Sequence, residues 1–181
     1  CALPIFMRWC CSSMTASVLG QPSGYSLEFP HVNHAPLVTG SLRVVAEDFK
    51  VNEQLGFEPA GVGEHVYLLI EKRLRNTAQV AESLARMAGL HPIAIGYAGM
   101  KDRNAITRQW FSVRVLPESE PDWTALNDDG VAVLKIIRHT KKLRRGQHQA
   151  NHFAIRLREL QGDIADLEER LVLAKQIGVP N

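Results

Sequence analysis

One carboxylate in this chain is framed for chemistry. Asp102 lies in the run Gly96-Tyr97-Ala98-Gly99-Met100-Lys101-Asp102-Arg103-Asn104-Ala105-Ile106-Thr107-Arg108-Gln109-Trp110-Phe111, flanked by cations and set between a small-residue turn and an aromatic strand. Nearby positive charge favours the ionised form of a carboxyl group, and a cation that donates hydrogen bonds satisfies its lone pairs. An ionised carboxylate can serve as nucleophile or as general base. Lys-Asp-Arg by itself also describes an ordinary solvated turn, so the chemistry depends on what positions it. Gly96 and Gly99 permit torsions or close approaches that a side chain forbids, as a loop that admits a bulky substrate requires and as a plain turn also uses.

A second concentration of chemistry is cationic. Lys135, Arg138, Lys141, Lys142, Arg144 and Arg145, with His139 among them, follow one another without an intervening acid. Such a block attracts phosphate, because each neutralised phosphate releases bound counterions; a solvated loop is the plain alternative. Gly146 and then Gln147-His148-Gln149-Ala150-Asn151-His152-Phe153 place amides and an aromatic beside the cations. Splayed bases are held by aromatic stacking and by hydrogen bonds to their edges while cations track the backbone. Phe153 equally suits a core strand position.

Other chemistries find little support. Cys1, Cys10 and Cys11 are the 3 cysteines, and all precede the body of the chain. Neither a disulfide framework nor a cysteine zinc site can therefore hold the core, which fits a reducing interior. The 7 histidines show no metal-ligand spacing. There is no phosphate-binding loop, dinucleotide glycine fingerprint or nucleophile-elbow serine. Net charge is only +2 over 181 residues, so local charge carries more information than the total. With 45% hydrophobic and 22% charged residues the chain can bury a core, and no stretch suits a membrane helix.

The elements that must position these groups are legible from periodicity and turn chemistry. Residues 1–38 read as a flexible leader, with Met14 as the natural start and the residues before it non-native; the body is expected over 39–181. Residues 41–53 read as two extended pieces broken at Ala46-Glu47-Asp48, with Phe49 and Val51 on one face. A second strand is expected over 65–72, paired antiparallel with the first. Asn76 can cap a helix over 77–88, with Gln79 reaching back and Gly89 ending it; Val80, Leu84 and Met87 form its apolar face. Strands follow over 107–116, 131–138 and 152–160. A last helix is expected over 164–177, capped by Asp163, with Ile164, Leu167, Leu171 and Ala174 on its packing side. Strands outnumbering helices predict an α+β fold on a largely antiparallel sheet with packed helices.

The stretch Ala98-Gly99-Met100-Lys101-Asp102-Arg103-Asn104-Ala105-Ile106-Thr107-Arg108-Gln109-Trp110 resembles the TruD family of tRNA pseudouridine synthases, whose signature reads Ala-Gly-x-Lys-Asp-x-x-Ala-x-Thr-x-Gln-Trp; every fixed place matches. Glu47-Asp48-Phe49-Lys50-Val51-Asn52-Glu53 is similar to the family's opening, with Ala46 where proline is usual. Asn151-His152-Phe153 is similar to its Gly-Asn-x-Phe, with Ala150 in place of glycine. The resemblance implies the N-terminal half of a pseudouridine synthase catalytic domain that converts a tRNA uridine, at position 13, to pseudouridine. It implies Asp102 as catalytic carboxylate, oriented by Lys101 or Arg103 unless one of these meets phosphate. Phe153 is then expected to stack on the target base and Asn151 to position the catalytic loop. Arg43, Phe49, Lys141, Lys142, Arg144 and Arg145 complete the expected substrate contacts. The reaction involves no redox change, so neither cofactor nor metal is expected; the partner is tRNA, the location cytoplasmic, and the complete protein monomeric. The likeness covers 42–181 and stops at Gly178-Val179-Pro180-Asn181, the first half of a longer family motif. A truncated catalytic domain is therefore expected, and a non-catalytic RNA-binding fragment is the alternative.

Overall fold

The computed structural model describes residues 4–9 and 38–177. Most of the expected leader and its start at Met14 lie outside the described residues. The chain divides into two units, one holding 42–156 with the strand at 4–9, the other holding 38–41 and 157–177 among the described residues.

The first unit is a mixed sheet. Its strands are β1 (Pro4–Trp9), β3 (Phe49–Leu55), β4 (His65–Arg73), β5 (Gly96–Tyr97), β6 (Ile106–Arg114), β7 (Val131–His139) and the first part of β8 (His148–Gly162). They lie in the order β1-β8-β3-β6-β4-β7, with β5 on β6. Every one of these pairings is antiparallel except β3 with β6. The largely antiparallel α+β reading therefore holds. The expected pairing of β3 with β4 does not, because β6 lies between them and bonds to both. A parallel neighbour needs a long crossover, and β4 with the helix that follows it supplies that excursion.

That helix, α1 (Thr77–Met87), forms where the caps predict. The Gln79 side chain accepts the Asn76 N–H at 2.9 Å. At the other end Gly89 turns to φ +65°, with Gly89 N–H donating to Arg86 O at 3.2 Å and Leu90 N–H to Ala85 O at 2.8 Å, a glycine stop in the Schellman form. Val80, Ala81, Leu84 and Ala85 are buried on Phe111, Val113 and Trp123; Met87 is only half-buried. Fully burying a side chain such as Leu84 contributes about 1.5–3 kcal/mol.

Two strands carry a charge on their buried phase. On β3 Phe49 and Val51 are followed by Glu53, and on β4 Val66, Leu68 and Ile70 are followed by Lys72; all are buried. An ionised side chain in such a place must be paired or saturated with hydrogen bonds. Both belong to the site.

In the second unit β2 (Val38–Leu42) pairs with β8, and Ser41 Oγ donates to Glu159 Oε2 at 2.7 Å. Helix α2 (Ile164–Ile177) keeps its expected bounds, and Asp163 accepts the Asp166 N–H at 3.1 Å. Leu167, Leu171 and Ala174 are half-buried while Ile164 is exposed, so no residue of this helix is buried among those described.

Candidate active site

Residues 98–105 link β5 to β6, and hydrogen bonds from the turn at Gly146 and from the buried Gln109, Thr77 and Lys72 fix their backbone. The Gly146 N–H donates to Ala98 O at 2.8 Å, and the Gln109 side-chain amide donates to Gly99 O. Thr77 Oγ accepts the Lys101 N–H at 3.0 Å and donates to Gln109 Oε1 at 3.0 Å. Lys72 Nζ reaches Asp102 O at 2.8 Å, Lys101 O at 3.3 Å and Arg75 O at 2.9 Å. Lys72, Thr77 and Gln109 are all at most 1% exposed. Burial pushes the Lys72 ammonium down to about 8, with Lys101 adding to the fall and Asp102 opposing it.

The Asp102 carboxylate, by contrast, is half exposed. Arg43 Nη2 donates to its Oδ2 at 2.9 Å, a pair with side-chain exposures of 38% and 46%. The Arg43 guanidinium also lies over the Phe49 ring, 4.1 Å from its centroid, and Phe49 meets Phe153 edge to face at 5.9 Å. Arg43 adopts φ 59°, a left-handed conformation that few side chains take. Four residues singled out from sequence, Arg43, Phe49, Asp102 and Phe153, are thus brought into one contact chain. Phe153 is half-buried against Phe49, Val51 and Ala105, so its core role is real.

Lys101 does not orient Asp102. Its ammonium lies 2.7 Å from Glu53 Oε2, a pair with side-chain exposures of 6% and 0%. Glu53 Oε1 also accepts the Trp110 N–H at 3.1 Å. Arg103 is exposed, and the cation on the Asp102 carboxylate is Arg43 in place of either sequence neighbour. Asn151 is buried opposite Glu53 in the β3–β8 register, and its Oδ1 has no hydrogen-bond partner among the described residues. Beside this pair the His148 imidazole is held below its ordinary value by burial and by the Lys101 cation, with Glu53 opposing.

The basic block divides by role. Arg138 donates to Val115 O at 3.0 Å and pairs with Glu120, so it is structural. Lys142 Nζ donates to Ile93 O at 2.8 Å. Leu143 is buried and its N–H donates to Ser112 Oγ at 2.9 Å, which anchors the turn between the flanking cations. Lys141, Arg144 and Arg145 are exposed, with Arg145 5.9 Å from the centroid of the Tyr97 ring. Lys142, Arg144 and Arg145 line a groove of ≈ 380 Å³ together with Ile93, Tyr97 and Leu143. Because Gly146 bonds to Ala98, this turn is joined to the Asp102 loop through one peptide. No group of histidines, cysteines and carboxylates among the described residues could hold a metal ion, and no helix there is long and apolar enough to cross a membrane.

Comparison with known proteins decides what this arrangement belongs to. The family model for tRNA pseudouridine synthase D (TruD) matches residues 29–181. The chain belongs to the TruD family. It is 54% identical over 161 residues to the tRNA pseudouridine synthase D of Cellvibrio japonicus, covering 87% of this chain and 48% of that protein. The Methylococcus capsulatus tRNA pseudouridine synthase D is 47% identical over 154 residues, 85% of this chain and 44% of its own length. The crystal structure assigned as tRNA pseudouridine synthase D from Methanosarcina mazei superposes with a TM-score of 0.69 at 26% identity, covering 82% of this chain and 35% of that one. The chain thus spans about half the length of the curated TruD relatives it matches.

Within this TruD chain, Glu53, Lys72, Thr77, Gln109 and His148 join the site without having been singled out as site residues. Glu53 and Lys72 carry a readable signal, a charge on the apolar phase of a strand. Gln109 sits inside the family signature, whereas Thr77 reads as a helix start and shows no signal for its second task.

Proposed function

We propose that the complete protein carrying this chain is an isomerase that converts a tRNA uridine, at position 13, to pseudouridine, with Asp102 as its catalytic carboxylate. The supporting observation is the contrast at one residue: the Asp102 carbonyl is held by the buried Lys72 ammonium while its carboxylate is half exposed and paired only with Arg43 among the described residues. A group held this way is positioned without being sealed. The reaction breaks the bond from ribose C1′ to uracil N1, turns the base and joins C1′ to C5; N1 gains a proton and C5 loses one. The carboxylate can attack C1′ or remove the 2′-proton, and the same exposed edge serves either step.

Phe153, half-buried and backed by the buried Phe49, offers an aromatic surface for the base, and base stacking contributes about 1–3 kcal/mol, enough to offset the few kcal/mol that extruding a uridine costs. Asn151 presents a buried amide oxygen without a partner, and Lys141, Lys142, Arg144 and Arg145 offer charge to the RNA backbone. Lys101 and Glu53 act as an internal brace. No step requires a cofactor or metal, tRNA as partner places the reaction in the cytoplasm, and the complete enzyme acts as a monomer.

A second reading, RNA binding without turnover by this span of chain alone, is favoured by the exposed basic turn at 141–145. Two assays test the pair of readings. Asp102→Asn in the full-length protein should abolish product and spare tRNA binding; unchanged turnover sinks the first reading. Pseudouridine formation by the present chain alone refutes the second.

A further inference from the structure

We propose that Lys72 is a positioning residue for Asp102, fixing the peptides on both sides of the carboxylate's Cα by donating to three carbonyls at once. The inference rests on Asp102 being the reacting carboxylate. An ammonium group carries three N–H donors, and the three acceptors here, Arg75 O, Lys101 O and Asp102 O, match that number at 2.9, 3.3 and 2.8 Å. Lys72 is 1% exposed, and no carboxylate lies within ion-pair distance of it among the described residues. Burying an ammonium without a counter-ion is costly, and a methionine would continue the apolar phase of Val66, Leu68 and Ile70 at no such cost. Two of its three acceptors bracket the reacting residue. The third, in the link to α1, ties the loop to the helix whose Thr77 holds the Lys101 N–H.

The arrangement has a pH signature. A neutral amine has two N–H donors and a lone pair, so it cannot serve three carbonyls, and one of them would face the lone pair. Burial brings the group down to about 8, within reach of an assay. The charges that face it are Asp102, which favours the ammonium, and Lys101, which disfavours it. Thr107 of β6 and Val131 of β7, its partners in register, carry none. The loop should therefore loosen, and kcat fall, as pH rises through that value.

Single-turnover and steady-state kinetics of the full-length protein on tRNA, with Lys72→Met and Lys72→Arg, test this. A displacement of about 1 Å at a reacting group costs about 100-fold in rate, so K72M should lower kcat about 10- to 100-fold with KM changed by no more than about twofold. The wild-type kcat should fall on the alkaline side of about pH 8, and K72R, whose guanidinium does not titrate there, should lack that fall. Wild-type kcat in K72M, or a wild-type profile flat to about pH 9.5, overturns the inference. If either variant fails to fold, the wild-type profile still decides. Asp102→Asn separates the two levels: turnover there defeats the underlying reading, whereas loss of turnover there with wild-type kcat in K72M defeats this inference alone.

Discussion

The Glu53–Lys101 pair is the sharpest test of how the loop is held, because from sequence Lys101 or Arg103 can orient Asp102 or meet phosphate, while the structure turns Lys101 inward onto Glu53. Lys101→Met removes the cation from a carboxylate whose side chain is fully buried and keeps only the Trp110 N–H. Breaking a buried ion pair by deleting one partner costs about 3–5 kcal/mol, since the remaining charge is left uncompensated. For a domain of this size each kcal/mol shifts Tm by about 2–4 °C, so thermal unfolding should move down by about 6–20 °C. Adding Glu53→Gln removes the stranded charge and leaves an amide oxygen for Trp110. The double variant should recover to within about 1 kcal/mol of wild type, giving a coupling energy of at least about 2 kcal/mol. Melting curves for the four proteins complete the cycle. The reasoning is refuted if Lys101→Met alone stays within about 0.5 kcal/mol of wild type. The double variant also settles the phosphate question: a lost phosphate contact would lower the salt slope of tRNA binding by about one, and an internal brace leaves that slope unchanged.

Three further outcomes follow from the same geometry. Arg43→Ala breaks a half-exposed pair and should change stability by no more than about 1 kcal/mol, as melting would show, yet it should lower kcat, since it removes the cation on the Asp102 carboxylate. Gly96→Ala places a Cβ into contact with Leu143 O and Ser112 Oγ, which are too close to admit it; overpacking of this kind costs about 1–3 kcal/mol, read by denaturant unfolding. Arg144→Glu with Arg145→Glu should weaken tRNA binding and lower its salt slope by about two, one for each lost phosphate contact, while leaving Tm nearly unchanged.

Much of the fold was legible because local rules act locally. The break at Ala46–Asp48, the bounds of α1 and its glycine stop, and the extent of α2 all follow from caps, alternation and turn residues within a few positions. Strand partners were not. The expected β3–β4 pairing is the neighbourly choice, and β6 displaces it because Glu53 on β3 accepts from the Trp110 backbone and Ile70 and Leu68 on β4 pair with Gln109 and Phe111, contacts set by tertiary burial. The site shows the same division. Asp102 and Phe153 could be named from their motifs, but the cation on Asp102 comes from 59 residues away and not from its neighbours. The direction of Lys101 is not legible in sequence because adjacency hides it: successive residues in a loop can face opposite ways, and a buried acid on β3 draws this one inward. Lys72 was readable as an anomaly in a strand, though its three carbonyl partners were not.

The central claim is that Asp102 is the group that reacts. Its most direct test is release of tritium from tRNA carrying [5-³H]uridine, because joining C1′ to C5 expels the C5 hydrogen and no other step of binding or base extrusion does. With the full-length protein, Asp102→Asn should release no tritium above background while binding the same tRNA with wild-type affinity. Tritium release by that variant at the wild-type rate would contradict the claim.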